Sequence, residues 1–127
     1  MKLAEQLNFD EKGLIPAIIQ DSVTGKVLTL CYMNREALYR TFEQGRIHVY
    51  RRSKGRVMVK GETSGCQQDV KEVFVDCANN SLLFRVVQNR AACHKGYFSC
   101  YFEKVDADGK RAVSEERVFD PEEVYGQ

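Results

Sequence analysis

Apolar residues recur in short runs separated by turn-forming residues, a pattern that predicts a chain built mainly of strands. Ala17 to Gln20 is apolar enough for a strand. Ser22-Val23-Thr24-Gly25 then supplies a turn before the apolar run Val27-Leu28-Thr29-Leu30-Cys31-Tyr32. Asn34 is placed to cap a helix, with Ala37, Leu38, Thr41 and Phe42 at helical spacing and Gly45 positioned to end it. Ile47 to Arg51 and Arg56 to Lys60 predict strands around Ser53-Lys54-Gly55, followed by the polar loop Gly61-Glu62-Thr63-Ser64-Gly65. Val70, Val73 and Val75 lie in a β-rich run ending at Asp76; after the turn dipeptide Asn79-Asn80, Ser81 to Gln88 returns as a strand. Asn89 to Gly96 reads as a loop, Tyr97 to Val105 as an aromatic-rich strand, and Asp106-Ala107-Asp108-Gly109 as a turn. Phe119 to Val124 suggests a short helix with Pro121 in its first turn. Together these elements predict one α+β domain over residues 1–127, with a mostly antiparallel sheet and about one main helix.

Composition narrows the function classes. A chain of 127 residues, 43% hydrophobic and 29% charged, is an ordinary globular domain with a modest core. Its net charge of +1 predicts no nucleic-acid or membrane partner, and no apolar run approaches the roughly 18 residues needed to cross a bilayer. Glu5 stands where a secretory signal needs apolar residues, so the expected location is cytoplasmic.

The five cysteines are Cys31, Cys66, Cys77, Cys93 and Cys100, and an odd number without an export signal argues against a disulfide framework. Cys31, inside an apolar run, reads as a small buried hydrophobe. Cys77 closes one strand, Cys93 lies in a loop and Cys100 on the strand after it, with gaps of sixteen and seven residues that match no zinc-finger spacing. Two readings stay open for them. They are unrelated buried thiols, or they converge as three thiolates that leave one zinc position for water. His94 beside Cys93 is either a proton carrier or a loop histidine without a role, whereas His48 reads as structural.

Arg51, Arg52, Lys54, Arg56 and Lys60 cluster around Gly55, Gly61 and Gly65, with Ser53, Thr63 and Ser64 as further donors. Short glycine loops and nearby cations suit phosphate, although a solvated charged hairpin has the same composition. Neither a P-loop nor a dinucleotide fingerprint is present.

The segments Gly13-Leu14-Ile15-Pro16-Ala17-Ile18, Tyr32-Met33-Asn34, Lys60-Gly61-Glu62-Thr63-Ser64-Gly65, Asp76-Cys77, Ala92-Cys93-His94 and Ser99-Cys100, in this order, resemble the phosphoribosyl-AMP cyclohydrolase family of histidine biosynthesis. The resemblance covers nearly the whole chain. It implies a zinc-dependent hydrolase that opens the adenine ring of its nucleotide substrate at the N1–C6 bond. It also implies an intertwined homodimer, with Cys93 and Cys100 holding zinc together with Cys77 of the other subunit. His94 would move the proton, and Arg52, Ser53, Lys60, Gly61, Glu62, Thr63, Ser64 and Gly65 would bind substrate.

Departures from the family pattern carry their own expectations. The family's Asp-Cys-Asp-x-Asp run, which binds magnesium, is here Asp76-Cys77-Ala78-Asn79-Asn80, so magnesium held at Asp76 is expected to be weak. Cys66 stands where the family has a histidine, and as a fourth zinc ligand it would close the site. The alternatives to the family activity are a divergent hydrolase for another purine-like nucleotide and a non-catalytic, zinc-stabilised dimeric scaffold.

Overall fold

A computed structural model describes residues 1–61, 66–89, 92 and 95–125, with side chains through residue 123. The elements run α1 (Lys2–Gln6), β1 (Ile15–Asp21), β2 (Val27–Met33), α2 (Arg35–Gln44), β3 (His48–Arg51) and β4 (Arg56–Val59). They continue with β5 (Gln68–Val75), β6 (Leu82–Gln88), β7 (Glu103–Val105), β8 (Arg111–Val113) and α3 (Pro121–Tyr125). The main sheet has four strands in the order β2-β1-β6-β5, and β3-β4 and β7-β8 are separate hairpins. Among the described residues only β1 against β6 is parallel and every other ladder is antiparallel, which makes this an α+β fold.

Strand alternation sorts the sheet into two faces. Ile15, Ala17 and Ile19 of β1 and Leu82, Phe84 and Val86 of β6 point inward and are fully or almost fully buried. α2 closes this face with Ala37, Leu38 and Thr41. Its ends are set locally: the Asn34 side chain accepts the Ala37 N–H at 2.8 Å, and Gly45, left-handed at φ +72°, sends its N–H to Thr41. Thr41 also takes the His48 N–H at 2.9 Å, while His48 Nδ1 bonds the Arg46 carbonyl at 2.8 Å. His48 is thus a buried structural residue.

The opposite face carries an apolar row. Leu30, Ile18, Leu83 and Phe74 stand in register across all four strands. Ile18 is 39% exposed, Leu30 44% and Phe74 47%, so this row lies open over the width of the sheet.

Three elements differ from the sequence reading, one of them β8 (Arg111–Val113), for which no strand was expected. The N-terminal helix α1 has no side-chain cap and was not signalled by composition. The strand expected over Tyr97 to Val105 shortens to Glu103–Val105, because the preceding segment bonds to β2 and to Glu115 instead of entering a ladder. No helix among the described residues is long and apolar enough to cross a membrane.

Candidate functional site

The edge strand β2 and the β3–β4 hairpin face each other across a cleft of about 940 Å³. Its floor is Cys31 and Tyr32 of β2, and its basic wall is Arg52, Ser53 and Lys60 from the hairpin and its exit. Arg52 does not float: its guanidinium lies 4.7 Å from the centre of the Tyr32 ring, a cation–π contact that holds the cation against the floor. Gly61 and Cys66 complete the same side of the cleft. Gly61 sits at φ +86°, and a Cβ there would stand 2.4 Å from the Cys66 carbonyl carbon. Only glycine permits that approach, which sets residue 61 against the backbone of Cys66 and Gln67.

The thiols divide into two groups. Cys31, Cys66 and Ala92, the residue before Cys93, all line the cleft. Cys100 lies within electrostatic reach of Cys31, and burial pushes the Cys31 thiol up from 9.0 to about 12, against the pull of Lys60. That thiol, half-buried at the cleft floor, points at the Ala17 carbonyl (3.6 Å) and stays protonated at neutral pH. Cys66 is buried, at 4% exposure.

Cys77 is elsewhere. It is exposed, in the turn between β5 and β6 at the far end of the sheet from Cys66. From β2, where Cys100 is tied, β5 is three strand spacings away, about 14 Å at roughly 4.8 Å each, before any displacement along the strands. A Zn–S bond is about 2.3 Å, so Cys77 and Cys100 of one chain do not share an ion. Among the described residues no three His, Cys, Asp or Glu side chains gather as a metal cluster. Cys93, His94, Glu62, Thr63, Ser64 and Gly65 lie outside the described residues.

Cys100 is held by a network that sequence reasoning missed. Its N–H donates to the Leu28 carbonyl at 2.6 Å. Buried Ser99 bonds the Val27 carbonyl through its hydroxyl at 2.7 Å, and the same oxygen accepts the Tyr101 N–H at 2.9 Å. Glu115 accepts the Ser99 N–H at 3.0 Å and pairs with Lys26. Nothing in the pattern of the tail singles out Glu115, since an acid at a loop position is ordinary. Gly96 ties the tail to the same region: its carbonyl accepts the Val118 N–H at 2.6 Å, and a Cβ on Gly96 would meet the Phe119 oxygen at 2.1 Å.

Fold and cleft together define a small α+β domain with a basic, cysteine-bearing cleft at a sheet edge. A family model described as phosphoribosyl-AMP cyclohydrolase matches residues 29–102. A protein of that name from Pelotomaculum thermopropionicum is 49% identical over 123 residues, 97% of this chain and 95% of its own length. The namesake from Chlorobium limicola is 46% identical over 97% of this chain and 90% of its own. That from Methanothermobacter thermautotrophicus is 46% identical over 94% and 87%. This chain belongs to the phosphoribosyl-AMP cyclohydrolase family.

Proposed function

We propose that this chain is a phosphoribosyl-AMP cyclohydrolase of histidine biosynthesis: it adds water to C6 of the adenine ring and breaks the N1–C6 bond of the cyclic amidine. The observation that carries the reading is the cleft, in a chain of this family, where the basic wall Arg52, Ser53 and Lys60 meets the segment that leads into Cys93 and His94. A substrate with two phosphates needs fixed cations, and Arg52, stacked on Tyr32, is one at low entropic cost. His94 carries the proton between water and the departing ring nitrogen, a role that suits imidazole, which ordinarily titrates near neutral pH.

The residues that would hold zinc are Cys93 and Cys100 of one subunit and Cys77 of the other. Thiolates are fitting donors for this metal, and zinc when bound supplies the acidity that makes hydroxide available near pH 7. Two features support a homodimer sharing the site. Cys77 is exposed and far from Cys100 within the chain, and the open row Leu30–Ile18–Leu83–Phe74 offers an apolar sheet face to cover. Cys66 favours a second reading, a closed four-thiolate scaffold, because it is buried and lines the cleft.

Purified protein incubated with phosphoribosyl-AMP, with absorbance of the ring-opened product followed, tests the proposal. Turnover that falls by a factor of about 10²–10⁴ in His94→Ala while zinc is retained supports it. A zinc-loaded wild-type protein without turnover refutes it and leaves first a divergent hydrolase for another purine-like nucleotide, then the scaffold.

A further inference from the structure

We infer that the turn from Asp76 to Ser81, which carries Cys77, is cross-linked by neutral hydrogen bonds through Asn8 and holds no resident divalent cation. The family resemblance implies magnesium at this turn, and the donor set does not fit it. A hard cation needs about six oxygen ligands, usually with several carboxylates. Asp76 is the one carboxylate in the turn, and its Oδ1 already accepts the N–H groups of Asn80 at 2.7 Å and Ser81 at 3.2 Å. The Asp76 carbonyl accepts the Asn79 N–H at 3.1 Å.

Three further oxygens of the turn are engaged from outside it by one residue. Asn8 Nδ2 donates to the Ala78 carbonyl at 3.0 Å and to Asn80 Oδ1 at 3.2 Å. The Asn8 backbone N–H donates to the Asn79 carbonyl at 2.8 Å. Asn79 accepts the left-handed backbone this requires, at φ +59°, a conformation that asparagine tolerates better than most residues. Three N–H···O contacts from Asn8 therefore do what shared coordination would do: they pin the segment after α1 to the turn. They do so without charge, so nothing is left over for a cation to neutralise except Asp76 itself. Asn8 is a positioning residue for the Cys77 turn.

The test uses full-length, zinc-loaded protein passed over chelating resin and titrated with magnesium chloride, followed by calorimetry and by thermal unfolding. Wild type is expected to show no saturable binding tighter than roughly 1 mM, the weak end for hard-cation sites in proteins, and no change in Tm. Asn8→Ala is expected to lose about 3–6 °C in Tm at every magnesium concentration. Ala78→Asp/Asn80→Asp, which restores two carboxylates beside Asp76, is expected to gain a magnesium-dependent rise in Tm. Sub-millimolar binding by wild type that disappears in Asp76→Asn would overturn the inference. So would magnesium restoring the Tm of Asn8→Ala, or a double variant as indifferent to magnesium as wild type. None of these readouts depends on turnover, so the inference and the proposed activity fail separately.

Discussion

Replacing Gly61 by alanine puts a methyl group where the backbone of Cys66 and Gln67 already stands. The new Cβ would lie 2.4 Å from Cys66 C and 2.5 Å from both Cys66 O and Gln67 N. Carbon atoms pack best at about 3.5–4.0 Å, so the chain must open by about 1 Å, and the obstacle is backbone that has no rotamer to escape into. The left-handed φ of +86° costs a further 1–2 kcal/mol or so for any residue with a side chain. Adding an overpacking term of about 1–3 kcal/mol gives a loss of roughly 2–5 kcal/mol, a large part of a typical domain's 5–15 kcal/mol. Gly55 supplies the control. Its φ is +62°, and nothing lies within 4 Å of its Cβ position, so Gly55→Ala shows the conformational cost of about 1–2 kcal/mol alone. Urea unfolding of the two variants separates the terms. Because Gly61 closes the neck between Lys60 and Cys66 in the cleft wall, its variant should also raise KM, whereas Gly55→Ala should not. Equal stability losses in the two variants would refute the close approach as the reason for glycine.

Further outcomes follow from the cleft and its supports. Tyr32→Leu removes the ring under Arg52 and should raise KM roughly 2–30-fold with kcat little changed, while Tyr32→Phe keeps the cation–π contact and wild-type KM; steady-state kinetics decides. Glu115→Gln weakens the support of the Ser99–Cys100 segment and should lower zinc affinity by about 10–100-fold in a chelator competition; unchanged affinity would remove Glu115 from that role. In metal-free protein Cys31 should resist iodoacetamide at pH 8 while Cys77 reacts, read by mass spectrometry. The Cys31 thiol sits at about 12 when folded against 9.0 in the open chain, so its contribution is complete below pH 9 and is lost as pH rises toward 12. Metal-free Cys31→Ala should accordingly lose stability less steeply than wild type across that window.

The parts legible in the sequence are those governed by local chemistry. Asn34 and Gly45 mark the ends of α2 because a side-chain cap and a left-handed glycine act within one turn of the residues they satisfy. The β3–β4 hairpin was readable from its turn, and its basic residues do line a cleft. What sequence does not disclose is long-range pairing. Tyr97 to Cys100 looks like strand, but Ser99 and Cys100 bond the carbonyls of Val27 and Leu28, about seventy positions away in the chain. Cys31 looks like core, yet it lies on an edge strand whose next neighbour is a hairpin rather than a ladder, so it lines the cleft. Cys77 reads as closing one strand and Cys100 as lying on another, and only the strand order β2-β1-β6-β5 shows how far apart they stand across the sheet. The Asn8 bonds to the Cys77 turn have no signature in the chain, since an asparagine after a short helix is unremarkable by itself.

The proposed sharing of a zinc site between subunits is tested most directly by subunit mixing. Cys77→Ser and Cys100→Ser should each be inactive as homodimers. After unfolding and joint refolding in equal amounts, half the dimers are mixed, and each mixed dimer rebuilds one intact site of its two, so about a quarter of wild-type activity should return. No recovery in a mixture shown to contain mixed dimers would contradict a site built from both subunits.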